Sequence, residues 1–215
     1  MIRDAWQEKN GKRVRRKEGE TDMQEMEIME LFRKAGAYQQ GHFRLSSGLH
    51  SGAYLQCALV LQNPMIAERL CNALAKKFIA DTPDVIIGPA MGGIVLAYEL
   101  ARALNARAIF TERNEEGKMV LRRGFKVVPS NRILIAEDVL TTGKSVKEVI
   151  SLLKEDGLAP KAVAALVDRS TTLMDFSGIK CESLIKLSIP TFTEDACPLC
   201  QEGMPIIKPG SRKIK

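Results

Sequence analysis

Nine consecutive residues carry the densest chemistry in the chain: Glu137-Asp138-Val139-Leu140-Thr141-Thr142-Gly143-Lys144-Ser145. Two adjacent carboxylates open the run, and hydroxyls with a glycine close it where a helical pattern begins. Paired carboxylates accept hydrogen bonds from the vicinal hydroxyls of a sugar. A helix start offers free backbone N–H groups and a positive dipole end, which together with hydroxyl donors hold a phosphate. The run is therefore a candidate cradle for a ribose 5-phosphate. Two other readings compete. An acidic helix cap, with Thr142 or Ser145 acting only structurally, leaves the acidic pair behind a buried strand unexplained. A nucleotide P-loop needs a glycine where Asp138 stands, and a carboxylate there repels phosphate and blocks close backbone approach.

Other segments offer supporting groups. Gly88-Pro89-Ala90-Met91-Gly92-Gly93 is either a simple tight turn or a loop whose N–H groups can approach a diphosphate. Arg113 and Lys118 bracket a polar loop with a flexible Glu115-Glu116-Gly117 stretch, which suits a lid or a plain solvated loop. Arg169 follows an apolar strand; its planar guanidinium can stack on and hydrogen-bond a flat ligand, or pair on the surface with Asp168 or Asp175. Cys197-Pro198-Leu199-Cys200 has the spacing of half a zinc knuckle. With no second Cys-x-x-Cys and no histidine near it in sequence, structural zinc is the minor reading, a zinc shared between two chains included, and the expected metal ligands are none. Cys57, Cys71 and Cys181 are isolated and read as core residues. His42 and His50 read as structural or exposed rather than as acid–base groups.

Positioning these groups requires a regular scaffold, and the hydrophobic pattern supplies one. From Met23 apolar residues recur at helical spacing until Gly36. Short extended runs at 42–45 and 53–55 flank the turn Ser46-Ser47-Gly48. Asn63-Pro64 starts a second helix, a capping residue followed by proline at the first helical position, running to about Ala80. A strand–helix rhythm follows: strand 85–87, helix 94–104, strand 106–111, strand 133–136, helix 144–156 stopped by Gly157, and strands 162–167 and 182–187. Residues 119–121 and 125–128 read as a hairpin turning at Arg122-Arg123-Gly124. Short apolar strands alternating with helices predict an α/β fold, a parallel sheet covered on both faces. Ligands of such sheets bind beyond the carboxyl ends of the strands, which is where Glu137 to Ser145 falls.

The chain has 215 residues, enough for one substantial domain. Its net charge of +6 is confined to the ends. Residues 1–22 hold seven basic and five acidic groups, residues 208–215 hold four basic ones, and the rest holds 21 of each sign. Bulk charge thus gives no support to a nucleic-acid-binding face. No apolar run approaches the roughly 20 residues of a membrane span, and no secretory signal opens the chain. Five cysteines without a framework spacing point to a reducing, cytoplasmic setting. Residues 1–22 read as a disordered basic arm, and 23–215 as one domain: a small N-terminal hood, 23–60, joined by the C-terminal segment, over a core of about 61–190.

The nine-residue run resembles the phosphoribosyl-diphosphate (PRPP) signature of type I phosphoribosyltransferases. The wider sequence, about residues 25–212, is similar to the orotate phosphoribosyltransferase family through Ser47-Gly48, Gly88-Pro89-Ala90, Phe110-Thr111-Glu112-Arg113, Val167-Asp168-Arg169 and Lys208-Pro209-Gly210-Ser211-Arg212. The resemblance implies a type I phosphoribosyltransferase-like fold with a hood and a mobile lid hairpin. It implies transfer of the 5-phosphoribosyl group from PRPP to orotate, with Mg²⁺ carried by PRPP. It assigns PRPP binding to Ala90, Met91, Gly92, Arg113, Lys118 and the run Glu137, Asp138, Val139, Leu140, Thr141, Thr142, Gly143, Lys144, Ser145. Orotate falls to Thr141 and Arg169, and catalysis to Lys118, Glu137 and Asp138. It also implies a homodimer in which the lid, Arg113 and Lys118, reaches the neighbouring subunit's site.

The sequence departs from the family pattern in places. The lid loop is short, Asn114 stands where a second basic residue is usual, and Arg122 and Arg123 either make up that charge or are exposed hairpin residues. Gly92 and Ser46 occupy positions where relatives often carry lysine. The hood turn Ser47-Gly48-Leu49-His50 is a candidate contact to PRPP or orotate. Two alternatives stay open: a purine phosphoribosyltransferase, or a PRPP-sensing regulator that binds nucleic acid through its basic arm. Arg169 with the Lys-Pro-Gly-Ser-Arg run argues against the first, and an intact Arg113 and Lys118 against the second.

Overall fold

The computed structural model describes residues 6–9, 12–15, 23–45 and 47–209. Strands β1 (Trp6–Lys9) and β2 (Lys12–Arg15) pair antiparallel. The sequence between them is Asn10-Gly11, the dipeptide most favourable to a two-residue hairpin. This ladder lies in the segment expected to be a disordered arm; the other residues of 1–22 lie outside the described residues.

Helix α1 (Glu25–Lys34) buries Ile28 and Phe32 and gives way to Gly36 at φ +67°. Strands β3 (Tyr38–Arg44) and β4 (His50–Leu55) form an antiparallel pair, longer than the two short runs the sequence suggested. Helix α2 (Cys57–Leu61), which the sequence pattern did not suggest, follows directly. Helix α3 (Pro64–Ala75) starts as expected: the Asn63 side chain accepts hydrogen bonds from the N–H groups of Met65 and Ile66. It tightens into a 3-10 turn over Lys76–Asp81.

The alternating half then begins. In order come β5 (Val85–Pro89), α4 (Gly92–Leu104), β6 (Arg107–Arg113), β7 (Met119–Leu121), β8 (Ile133–Leu140), α5 (Lys144–Glu155), β9 (Pro160–Asp168) and β10 (Lys180–Lys186). They form one six-stranded sheet in the order β10-β9-β8-β5-β6-β7, parallel except for the edge strand β7. Its strands carry near-continuous apolar runs because both faces are covered. Leu70, Leu74, Phe78, Leu96 and Leu100 fill the face toward α3 and α4. Ile87, Ile135, Val146, Val149 and Leu153 fill the face toward α5. The chain closes with β11 (Thr191–Phe192), a 3-10 turn at Glu194–Ala196, α6 (Pro198–Gln201) and β12 (Ile206–Ile207). These short strands flank the β3–β4 pair in a second sheet of order β11-β4-β3-β12.

Two sequence expectations change. Residues 119–121 do pair as a hairpin, but with 111–113 rather than with 125–128. The hairpin therefore turns through 114–118, where Asn114 N–H donates to the Lys118 carbonyl and the Asn114 side chain accepts from the Lys118 N–H. Arg122-Arg123-Gly124 does turn, with Arg123 at φ +62° and Gly124 at φ +72°. It turns the chain off the sheet: Phe125 packs edge-on to Phe110, and the Lys126 carbonyl accepts from Arg107. Secondly, β8 runs to Leu140 instead of ending at Ala136, so Glu137 and Asp138 belong to the strand and not to the loop after it.

The chain leaves β5 toward β6 and β7, then returns to the other side of β5 as β8. The crevice between the ends of β5 and β8 is thus the point where the connections diverge. The turn at its edge is closed by backbone-to-backbone contact. A Cβ on Gly88 would lie 2.2 Å from the Gly93 carbonyl oxygen, and one on Gly93 would lie 2.8 Å from that of Ala136. Gly88→Ala must push the start of α4 off the sheet, with an expected loss of about 2 kcal/mol or more and a fall in Tm of about 4 °C or more. Gly52→Ala, where the nearest atom to the new Cβ is 3.8 Å away, should stay within about 0.5 kcal/mol of the parent. Equal thermal midpoints for the two variants would contradict this packing.

Candidate active site

The two loops that meet at the crevice are joined by the acidic pair. Asp138 packs against the first residue of α4: a Cβ on Gly92 would fall 2.2 Å from its Oδ2 and 2.6 Å from its Oδ1. This contact is a physical reason for glycine at position 92. Asp138 Oδ1 also accepts from the Val139 N–H at 3.0 Å. On the hood side, the Cys57 thiol at the start of α2 faces the Asp138 carbonyl at 3.7 Å. Burial pushes the pKa of that thiol far up, so Cys57 acts as an apolar neighbour and not as a nucleophile.

Glu137 is buried, with 8% of its surface exposed. Burial first, then the charge and the carboxyl group of Asp138, push its pKa up to about 9, while the Ser145 hydroxyl at the start of α5 works in the other direction. Within these surroundings Glu137 favours its protonated form at neutral pH. Charge for a sugar's hydroxyls or a developing cation is available here at the cost of that proton.

Both helices that begin at the crevice start without a side-chain cap. Met91 precedes α4 and Gly143, at φ +69°, precedes α5, and neither caps through its side chain. Thr142 Oγ1 accepts from the Lys144 N–H at 3.4 Å and the Met91 carbonyl from the Ile94 N–H at 3.2 Å, and the positive end of each helix lies at the crevice, where it favours an anion. Thr141, Thr142 and Lys144 are exposed around the α5 start, while Val139 is half-buried and Leu140 packs into the core as scaffold. Gly143 has a steric role too: a Cβ there would press to 3.0 Å on the Phe176 ring. In the β5 turn Met91 is exposed, the Ala90–Met91 peptide is cis, and the Ala90 N–H donates to the Thr111 carbonyl at 2.7 Å.

Two buried polar atoms near these loops have no protein partner. One is Thr111 Oγ1 at the end of β6, the other Arg169 Nε just after β9. The Arg169 backbone N–H is tied to the Leu140 carbonyl at 2.8 Å. Burial lowers the pKa of its guanidinium, and the groups that act on it oppositely are Cys57, Tyr38 and Tyr54 of the hood. Arg169 therefore does not pair with Asp168 or Asp175. Asp168 accepts instead from the Ser170 N–H, and Asp175 from Ser177 and Gly178. An orphaned guanidinium N–H between hood and sheet is a donor that a flat anionic ligand can satisfy. Tyr38 and Tyr54 carry no motif, and sequence reasoning missed them; Thr111 lies in a segment that carries the family resemblance, but has no role of its own there.

Arg113 and Lys118 engage other partners than the acidic pair. Arg113 donates to the Gly117 carbonyl at 2.6 Å and pairs with Glu148 on α5. Lys118 Nζ pairs with Glu116 of its own loop at 3.1 Å and is exposed. Arg123 pairs with Glu112 at 3.0 Å. Within one chain, then, the lid cations form no ion pair with Glu137 or Asp138. Among the described residues the crevice holds no group of three or more His, Cys, Asp or Glu side chains converging on one point. The group that does converge lies in the hood: His42, His50, Cys197 and Cys200. No histidine lies near Cys197 in sequence; the fold brings His42 and His50 to it. Ser46 and residues 210–215 lie outside the described residues, so Gly210, Ser211 and Arg212 are not placed.

Residues 60–197 match the family model described as a phosphoribosyl transferase domain. The orotate phosphoribosyltransferase of Carboxydothermus hydrogenoformans is 52% identical over 190 residues, 87% of this chain and 98% of that protein. That of Pelotomaculum thermopropionicum is 50% identical over 188 residues, 87% and 98% respectively. The crystal structure of orotate phosphoribosyltransferase from Aeropyrum pernix superposes with a TM-score of 0.63 at 25% identity, over 74% of this chain and 93% of that one. With identity this high over nearly the whole length of its relatives, and with a crevice built from an acidic pair, two uncapped helix starts and an unpartnered arginine, the chain belongs to the orotate phosphoribosyltransferases of the phosphoribosyl transferase family.

Proposed function

We propose that the crevice between β5 and β8 is where this chain transfers the 5-phosphoribosyl group from PRPP to orotate, giving orotidine 5′-monophosphate and pyrophosphate for UMP synthesis. The observation that carries the assignment of roles is the convergence of Glu137 and Asp138 with the two uncapped helix starts, facing Arg169 across the hood boundary. The 5-phosphate lies on the amides and hydroxyls of Thr141, Thr142, Gly143, Lys144 and Ser145. The diphosphate lies on the Ala90-Met91-Gly92 turn. Glu137 and Asp138 accept the ribose 2- and 3-hydroxyls and offset the positive charge that builds on the ribosyl carbon. Arg169 Nε and the Thr141 hydroxyl orient orotate.

The leaving diphosphate needs cations. Magnesium, an oxygen-seeking ion, neutralises it when bound. The donors here fit such an ion only as a passenger on the substrate, because the crevice offers one carboxylate pair and no cage of oxygen ligands. Arg113 and Lys118 supply the rest of the positive charge. Arg113 and Lys118 pair in their own chain with Glu148 and Glu116, not with Glu137 or Asp138; we place them over the site of a second copy in a homodimer, the hairpin closing as a lid and excluding water. Residues 23–215 act as one domain, hood over core, in the cytoplasm. No helix among the described residues is long and apolar enough to cross a membrane.

Consumption of orotate absorbance should require both PRPP and a divalent metal, with adenine, guanine, xanthine and uracil inert. Activity with a purine in place of orotate, or full activity in excess chelator, would refute the reading.

The proton on Glu137 gives a stability test. In the folded chain the pKa of Glu137 is pushed up to about 9, whereas the ordinary value is 4.5. Between those values the folded chain binds more protons than the unfolded chain, so stability falls as pH rises through the window. Glu137→Gln fixes the neutral form and removes that loss. At pH 9 relative to pH 5 the variant should gain at least about 1 kcal/mol on the parent, or about 2–4 °C in Tm, while losing turnover. Parallel Tm-versus-pH curves would exclude the raised Glu137.

The lid assignment predicts complementation. Lys118→Ala and Asp138→Asn chains, each inactive alone, form mixed dimers with one doubly defective and one intact site. Random mixing makes half the dimers mixed, so about a quarter of the parent activity should return. Mixed dimers confirmed by mass spectrometry but no more active than the separate variants would place Lys118 in its own subunit's chemistry or outside it.

A further inference from the structure

Outside the crevice, four side chains from distant parts of the chain point at one another. They are His42 on β3, His50 on β4, and Cys197 and Cys200 bracketing the first turn of α6. Their ligand atoms all lie within 4.8 Å of one another. His42 Nε2 is 3.0 Å from His50 Nδ1, 3.5 Å from Cys197 Sγ and 3.6 Å from Cys200 Sγ, and His50 Nδ1 is 3.2 Å from Cys200 Sγ. A tetrahedral zinc with its usual bond lengths separates its ligand atoms by about 3.3–3.8 Å. The cluster has nearly those edges already.

The surroundings favour a metal over a hydrogen-bond network. His42 and His50 are each 1% exposed and Cys197 is fully buried. His42 Nδ1 lies 2.8 Å from the Met204 carbonyl, an acceptor only, so that nitrogen donates and Nε2 is left as a lone pair. A backbone carbonyl behind a histidine is the arrangement that orients a metal-ligating imidazole. Nε2 then faces a second imidazole nitrogen and two sulfurs, three groups competing for one lone pair. One cation at the centre satisfies all four.

We propose that His42 Nε2, His50 Nδ1, Cys197 Sγ and Cys200 Sγ form a closed tetrahedral site for a structural zinc ion. Two thiolates and two imidazoles match zinc rather than the oxygen-seeking ions. Four protein ligands, three of them buried, leave no position for water, so the ion is a staple and not a catalyst. What it staples is evident from the hood. Strands β11 and β12 are two residues each, Ile206 and Ile207 are half-exposed, and the C-terminal segment has little else to hold it on the β3–β4 pair. That pair also bears Tyr38 and Tyr54, which bear on Arg169, so the ion fixes the hood edge of the crevice from behind.

The full-length chain, purified without an affinity tag or chelator, should contain about one zinc per chain by elemental mass spectrometry. Replacement by Co²⁺ should give the strong visible absorption of a tetrahedral site, with thiolate charge-transfer bands at shorter wavelength. Cys200→Ser and His42→Gln should each retain less than about a tenth of that metal, while Cys71→Ser, a core thiol away from the cluster, retains it all. If the ligand variants do not fold, the parent chain decides. A strong zinc chelator should speed proteolysis within 188–209 at least about tenfold, and added Zn²⁺ should reverse it. The proposal fails if folded parent chain refolded with Zn²⁺ holds less than about one ion in ten chains. It also fails if the folded ligand variants keep their metal, or if freshly purified chain carries a Cys197–Cys200 disulfide and no metal.

Discussion

The contact between Gly92 and the Asp138 carboxylate is the constraint on which the rest of the site depends. It is the point where α4, entering from β5, closes on the end of β8, and it leaves no room for a side chain at 92. Gly88 and Gly93 make the same closure possible one step deeper, backbone against backbone. Because the strand order reverses between β5 and β8, the loops on either side diverge and leave an open crevice above this contact. Moving α4 outward by the thickness of a methyl group would separate the diphosphate turn from the acidic pair.

Around that contact the chain accepts destabilising features. A buried glutamate carries a proton it would not hold in water, two helices begin without caps, and a guanidinium N–H and a threonine hydroxyl are buried without partners. Each is unfavourable on its own, and each is a group that an anionic, hydroxyl-rich ligand can satisfy. The apolar layers on both faces of the six-stranded sheet keep these groups in position, with Leu74 and Leu100 on one side and Val146 and Leu153 on the other. The hood is held differently. Its sheet is two good strands edged by two fragments, and four nitrogen and sulfur atoms converge behind it.

Much of this was legible in the residues because it is local. The Asn63-Pro64 start of α3, the glycines that end α1 and α5, and the alternation of apolar strands with helices depend on neighbours a few positions away. The acidic pair and the hydroxyl-rich helix start were legible for the same reason, since they fall in one short segment. The end of β8 was not: Glu137 and Asp138 look like loop residues, and only pairing with β9, Glu137 opposite Ala165 and Leu140 opposite Asp168, keeps them in the strand.

What the residues determined alone was the α/β rhythm and the place of the acidic, hydroxyl-rich run at a strand-to-helix junction, because both rest on period and spacing within about ten positions. Tertiary structure decided the partners. Strand 119–121 had two possible neighbours, and the open edge of β6 took it, since ladder bonds to an existing sheet outweigh an isolated two-strand ribbon. Arg169 had two acidic neighbours in sequence and meets neither, because Asp168 and Asp175 are occupied by backbone N–H groups of their own turns. His42 and Cys197 are 155 positions apart, and no pattern in the chain connects them. They meet because β12 joins β3 and β11 joins β4, a pairing that brings the last segment of the chain back onto its first hairpin.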